Sequence, residues 1–121
     1  MRLLKPSRLD RLGRRNSVRL QKARLKRLEA EKERFLWQIV RVAVYNRDGR
    51  KCRVCGLPLK LSAKDPFSVA HVHPLTFRSA GGSDEMTNLV LLDIRCHDAA
   101  HRGTLRLDGT AGRLRITWLP Q

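Results

Sequence analysis

Apolar residues recur at helical spacing through one long stretch in the first half of the chain. Ser17 is a typical helix cap, and no Gly or Pro follows it until Gly49. Within this stretch the apolar positions lie three, four or seven residues apart, at Leu25, Leu28, Phe35, Ile39 and Val42. The pattern predicts an amphipathic helix over residues 17–46. Residues 1–16 contain Pro6 and Gly13 among arginines, which favours a loosely ordered basic arm.

The rest of the chain, residues 47–121, shows only short-range patterns, as expected of a small α+β domain. An extended segment followed by an apolar run predicts two strands, and a short amphipathic segment ending at Gly103 predicts a helix. Alternating apolar and polar residues around a glycine-containing turn then predict a C-terminal β-hairpin. These elements are expected at residues 67–74, 88–92, 95–102, and 105–118.

The charge is strongly positive. Lys and Arg number 26 and Asp and Glu 11, which gives a net charge of +15. Residues 1–36 hold 13 of the basic and 4 of the acidic side chains. A field of this sign attracts polyanions, so nucleic acid is the expected partner, with an acidic membrane surface as the rival. No apolar run approaches the roughly 20 residues of a membrane span. The candidate DNA contacts are Arg8, Arg11, Arg14, Arg15, Arg19, Lys22 and Lys26, although such a helix face can also be merely solvated.

The cysteines have the spacing of a zinc knuckle. Cys52 and Cys55 form Cys-x2-Cys, and Asp93 with Cys96 repeats that spacing with one carboxylate. Four such ligands suit a structural Zn²⁺, although the thiols could instead be small buried apolar groups. Three cysteines would leave one unpaired in a disulfide framework, and Cys-x2-Cys in a reducing compartment is more typical of a metal knuckle. The expected location is the cytoplasm, for a bacterial or phage-encoded protein. The basic, acid-poor N-terminus leaves an organellar transit peptide as an alternative.

The histidines indicate a second metal site with a base beside it. His97 and His101 lie four residues apart on the predicted short helix, so both can face one ion, although a solvated helix could also carry them. His71 has the chemistry of a general base that deprotonates water, although a single histidine is more often a packed polar residue. Asn88 could hydrogen-bond the backbone across the intervening loop, or simply cap a helix.

Taken in order, these motifs resemble the HNH endonuclease family. The shared features are the knuckle, His-x2-Pro at His71, Gly-Gly at Gly81, Asn-Leu-x2-Leu at Asn88, and Cys-His-x3-His at Cys96. The resemblance covers roughly residues 41–118. It implies a ββα-metal (His-Me finger) domain with a zinc knuckle, preceded here by the long basic helix and followed by the hairpin.

The resemblance also implies a reaction. His71 would activate water, Asn88 would orient the loop, and His97 with His101 would hold a catalytic divalent ion, which could be Mg²⁺, Mn²⁺, Ni²⁺ or Zn²⁺. The substrate implied is double-stranded DNA, cleaved by hydrolysis of a phosphodiester bond. The sequence predicts no particular oligomeric state.

Two positions depart from the family pattern. The family usually has Asp or His immediately before the general base as a metal ligand, where this chain has Ala70, and cysteine where it has Asp93. We therefore expect position 70 to face the ion with only a methyl group, and we take His73 as an alternative ligand. Ala70 leaves open a second hypothesis, in which the protein is a catalytically weakened HNH-fold zinc module that binds nucleic acid. A third hypothesis is a structural protein of a nucleoprotein particle.

Overall fold

The structure is a computed structural model that describes residues 7–120. Its regular elements are two helices and four strands: α1 (Arg8–Arg47), β1 (His71–Pro74), β2 (Leu89–Leu92), α2 (Ile94–Arg102), β3 (Leu105–Thr110) and β4 (Arg113–Trp118). No helix within this range is long and apolar enough to span a bilayer. The α+β class and the element order agree with the sequence prediction.

Helix α1 begins earlier than the pattern predicted, at Arg8 rather than at position 17. The reason is a capping box formed by Ser7 and Asp10. The Ser7 hydroxyl accepts a hydrogen bond from the Asp10 backbone N–H at 3.1 Å, and the Asp10 carboxylate accepts one from the Ser7 backbone N–H at 3.1 Å. The prediction of a loosely ordered arm is therefore wrong for residues 8–16, and residues 1–6 of that arm lie outside the described range.

The chain divides into two units, residues 1–37 and residues 38–121. In the described part of the first unit the chain is helical from Arg8 onward, and every residue is exposed. No buried core therefore holds this part of α1. Its helical state rests on the capping box and on backbone hydrogen bonds alone.

The second unit has a small core built around β2. All four β2 side chains are buried, and β2 pairs antiparallel with β1, with His71 opposite Leu92 and His73 opposite Val90. Val44, on the last turns of α1, is fully buried within the same apolar cluster. Strands β3 and β4 form a separate antiparallel hairpin, which contributes Leu105 to that cluster. Two strands followed by α2 thus form a ββα unit around β2.

Candidate metal centres and active site

Three cysteines and one aspartate come together where the knuckle meets the start of α2. One ligand atom from each of Cys52, Cys55, Asp93 and Cys96 lies within 4.8 Å of all the others, and all of these side chains except Cys55 are buried. None of the three cysteines forms a disulfide. The knuckle closes through a hydrogen bond from the Gly56 N–H to the Cys52 carbonyl at 3.0 Å. Three thiols and a carboxylate fit the donor preferences of a tetrahedral zinc ion.

Asp93 also caps α2. Its Oδ1 accepts a hydrogen bond from the Cys96 backbone N–H at 2.9 Å and lies 3.6 Å from the Cys52 Sγ. Burial by itself would raise the pKa of Asp93, but hydrogen bonds from Cys96 and the other thiols outweigh it and lower the pKa. Burial raises the pKa of the Cys96 thiol, and the neighbouring acidic groups raise it further. A cation would reverse that penalty, since it favours the deprotonated ligands.

The four histidines form one cluster between β1 and α2. Ligand atoms of His73, His97 and His101 lie within 4.8 Å of one another, and the Nε2 atoms of His97 and His101 are 3.3 Å apart. The His71 ring stacks on the His97 ring with a centroid separation of 5.2 Å. Helical periodicity brings His97 and His101 to one face of α2, as the sequence predicted.

His73 belongs to this cluster, whereas Ala70 does not face it. His73 is 4% exposed, and its buried Nδ1 has no hydrogen-bond partner among the described residues. Ala70 is 2% exposed and lies within the apolar core. The expectation that position 70 faces the ion is therefore wrong. Alternation along the strand directs His71 and His73 to one face and Ala70 to the other. An unpartnered imidazole nitrogen fits a metal ligand, so His73 can supply the third donor.

The surroundings lower the pKa of three of these imidazoles, which favours their neutral form. Burial, with His97 and His101 beside it, lowers the pKa of His73 to about 4. Burial also lowers the pKa of His97, and His101 and His71 add to that effect. The pKa of His71 is lowered by burial and by the nearby Arg41 guanidinium. Neutral imidazoles have a lone pair that can bind a cation or accept a proton.

Asn88 fastens the connection between β1 and β2. Its Oδ1 accepts a hydrogen bond from the Thr76 N–H at 2.8 Å, and its Nδ2 donates to the carbonyls of Thr76 at 2.9 Å and Ser83 at 2.7 Å. The same loop requires Gly82, because a Cβ there would lie 1.8 Å from the Thr76 carbonyl oxygen. The Gly-Gly and Asn motifs are thus parts of one closed loop that follows β1.

An open cleft of about 660 Å³ lies along the histidine cluster. Among its lining residues are His71, His97 and His101, together with the aromatic Phe67 and the basic Arg95 and Arg102. Arg102 is paired with Asp98, which also lines the cleft. A groove that combines imidazoles with guanidinium groups can accommodate an anionic phosphate.

Sequence reasoning missed a buried carboxylate that organises the second unit. The Asp48 side chain is 1% exposed and pairs with Arg47 at 2.9 Å and Arg53 at 3.0 Å. It also accepts a hydrogen bond from the Leu91 N–H at 2.9 Å. Arg53 in turn donates to the Ala111 carbonyl at 2.8 Å. In the sequence, Arg47-Asp48-Gly49 indicates only a turn after the helix, although Arg47 and Arg53 close by could indicate a paired carboxylate.

The proposed DNA contacts all lie on the first unit. Each of the seven basic side chains is exposed on α1. Three of them, Arg14, Arg15 and Arg19, line one shallow surface depression together with Val18. They are placed where they could reach a polyanion, and no described contact neutralises them within this unit.

Two antiparallel strands followed by a helix, with histidines on both β1 and α2, define the ββα-metal class of folds. Residues 52–103 match the family model described as HNH endonuclease, and this part of the chain is an HNH domain. The match begins at the first knuckle cysteine and ends at Gly103, the C-cap of α2. No curated protein and no solved structure gave a match to the chain.

Proposed function

We propose that this protein is a metal-dependent HNH-type endonuclease that hydrolyses phosphodiester bonds of DNA. The observation that carries the proposal is the cluster of four histidines, three of which line one cleft together with two arginines. Phe77, in the loop that Asn88 holds, packs against two rings of this cluster. The HNH domain supports a nuclease-like function, and the cleft adds groups suited to a base and to a metal site within reach of one phosphate.

In this proposal one histidine acts as the general base and the other three are metal ligands. His71 is partly exposed and has a lowered pKa, so it can take a proton from a water molecule as the water oxygen attacks phosphorus. The bond from phosphorus to the leaving oxygen then breaks. His73, His97 and His101 would hold the divalent cation, which supplies charge stabilisation at the phosphate and the leaving oxygen. Asn88 acts through the loop backbone rather than on the substrate.

The second proposed metal is structural. Zinc held by Cys52, Cys55, Asp93 and Cys96 would join the knuckle to the first turn of α2. That turn leads directly to His97, so the zinc site would fix the start of the helix that carries two of the three catalytic ligands. A small core gains stability from such a link.

Double-stranded DNA is the proposed partner, and α1 is the proposed contact surface. The seven exposed basic side chains of the first unit would displace condensed counterions from the phosphate backbone, which makes affinity fall with salt. We therefore expect weaker DNA binding, with a smaller dependence on salt, when glutamine replaces Arg14, Arg15, Arg19 and Lys22. If the variant and wild type bind DNA equally well at every salt concentration, α1 is not the DNA contact surface.

The experiment is incubation of supercoiled plasmid with the protein in Mg²⁺, Mn²⁺, Ni²⁺ or Zn²⁺, beside a His71→Ala control. Nicked or linear product that appears with wild type and is absent with His71→Ala supports the nuclease. The weakened binding module remains the alternative because residue 70 brings no ligand. DNA binding without cleavage in any of the four metals would favour that module.

A further inference from the structure

An exposed aromatic ring forms one wall of the cleft beside the histidines. Phe67 lies in a short 3-10 turn, Pro66–Ser68, and 47% of its surface is exposed. Asp65 fixes this turn, because its carboxylate accepts hydrogen bonds from the Phe67 N–H at 3.0 Å and the Ser68 hydroxyl at 3.1 Å. The ring is thus presented by a braced segment, although burying it in the core would have been more favourable.

A guanidinium group lies against this ring. The Arg95 Cζ is 4.6 Å from the Phe67 ring centroid, which places the cation over the ring. Both residues line the same cleft as His71, His97 and His101. Arg95 is exposed on the first turn of α2, next in sequence to the zinc-cluster residue Cys96. The pair therefore presents an aromatic ring and a guanidinium plane in the same cleft as the histidines.

The chemistry of this pair suits a nucleobase. Aromatic rings and arginine planes are the groups on which unpaired bases stack, and such stacking tolerates any base because every base has a π face. The cleft volume of about 660 Å³ is within the range of small-ligand sites, roughly 300–1,000 Å³. A base inside a duplex has both faces covered by its neighbours and cannot use such a surface.

We propose that Phe67 and Arg95 form a stacking subsite for one unpaired nucleobase adjacent to the phosphate at the histidine cluster. The inference rests on the proposed action on DNA and narrows its substrate class. Favoured substrates are strands with an unpaired nucleotide at the cut: single strands, bulges and mismatches. In such strands the cost of unstacking is already reduced.

The test is a binding measurement in which no strand is cut. The His71→Ala protein is titrated, in Mg²⁺, into a duplex that carries one bulged 2-aminopurine and into a matched duplex in which 2-aminopurine is paired. We expect roughly tenfold tighter binding of the bulged duplex, accompanied by fluorescence quenching as the base stacks. Phe67→Tyr should keep this preference, while Phe67→Leu, which keeps apolar bulk without a π face, should lose most of it.

Two further variants control for general effects. Arg95→Gln should reduce the preference for the bulged duplex, because it removes the guanidinium plane. Glutamine keeps much of the length of the arginine side chain, so the change tests the plane itself. Trp118→Leu changes an aromatic residue on β4 that is 57% exposed and does not line the cleft, and it should leave the preference unchanged.

Equal binding of the two duplexes, or a Phe67→Leu protein with the preference of the His71→Ala parent, would overturn the subsite. These outcomes are separate from failure of the nuclease itself. Plasmid cleavage without any preference for the bulge would leave the proposed function standing without the subsite. Tighter binding of the bulged duplex by a protein that never cleaves DNA would support the subsite and contradict the nuclease function.

Discussion

Asp93 combines two roles that a single substitution can separate. The carboxylate caps α2 and also lies within the cysteine cluster. Asparagine caps helices about as well as aspartate, but it is a poor zinc ligand. We expect Asp93→Asn to keep the α2 cap and to release zinc much more readily to a chelator. Asp93→Ala should lose the cap as well, at a further cost of about 1 kcal/mol in the free energy of unfolding.

Zinc content after dialysis and thermal unfolding measure these two effects. A wild-type protein that contains no zinc, or that keeps its thermal transition after the metal is removed, would contradict the structural role of the metal. Asp93→Cys would supply a thiolate, the softer zinc ligand, but it would lose the carboxylate cap of α2.

Ala70 is the residue at which the structure most changes the expectation from sequence. Because its side chain lies in the core, Ala70→Asp should not restore a metal ligand. It should bury a carboxylate without a partner and reduce the free energy of unfolding by roughly 3 kcal/mol or more. Ala80→Asp, at an exposed position, is the matched control and should be nearly neutral. A stable Ala70→Asp protein with tighter metal binding would contradict the placement of this residue.

At the scale of elements, the β1–β2 loop depends on the close approach of Gly82 to the Thr76 carbonyl group. Gly82→Ala would force a methyl group against the Thr76 carbonyl, whereas a Cβ at Gly112 meets nothing within 4 Å. We expect Gly82→Ala to displace the loop, to cost roughly 2 kcal/mol or more, and to lower cleavage, because Asn88 bonds the same Thr76 backbone. Gly112→Ala should change neither quantity. Thermal unfolding and a nicking assay measure both, and an unchanged Gly82→Ala protein would contradict the loop geometry.

The Asp48 network joins the end of α1 to β2 and makes stability depend on pH. Burial alone would raise the pKa of Asp48, but hydrogen bonds from Arg47, Leu91 and Arg53, together with the charge of Arg47, lower it. A lowered folded-state pKa means that the stabilisation is full above the unfolded value near 4 and is lost as pH falls through the folded value.

Asp48→Asn should therefore cost about 2–3 kcal/mol at pH 7, because it leaves both arginines without their shared anion. The stability difference from wild type should shrink as the pH falls below about 4. Asp108→Asn, which removes an exposed ion pair with Arg106, serves as control and should cost little. If the difference in free energy of unfolding between wild type and Asp48→Asn stayed constant down to acidic pH, this account would be contradicted.

Local sequence patterns predicted most of these elements. Periodicity and turn residues placed β2, α2 and the hairpin of β3 and β4 within a few residues of their positions. They missed the start of α1, because Pro6 and Gly13 indicated a loosely ordered arm and the Ser7–Asp10 capping box was overlooked. The roles of His73 and Asp48 depend on contacts across the fold: His73 meets α2 only once β1 pairs with β2, and Asp48 reaches β2 from the end of α1.

At the scale of the whole molecule, two differently built units divide the proposed tasks. The first unit is an exposed basic helix suited to the phosphate backbone, and the second contains both groups of candidate metal ligands. The family match lies entirely in the second unit. The central claim is therefore about that unit: His73, His97 and His101 hold the ion, while His71 acts as the base.

The most direct test is a metal titration of plasmid nicking with wild type, His73→Ala and His71→Ala. Loss of a ligand weakens the hold on the ion, so His73→Ala should nick only at metal concentrations roughly tenfold or more above those that wild type needs. Loss of the base cannot be repaired by metal, so His71→Ala should stay inactive across the titration. A His73→Ala protein with the metal dependence of wild type, or a His71→Ala protein that excess metal restores, would contradict the account.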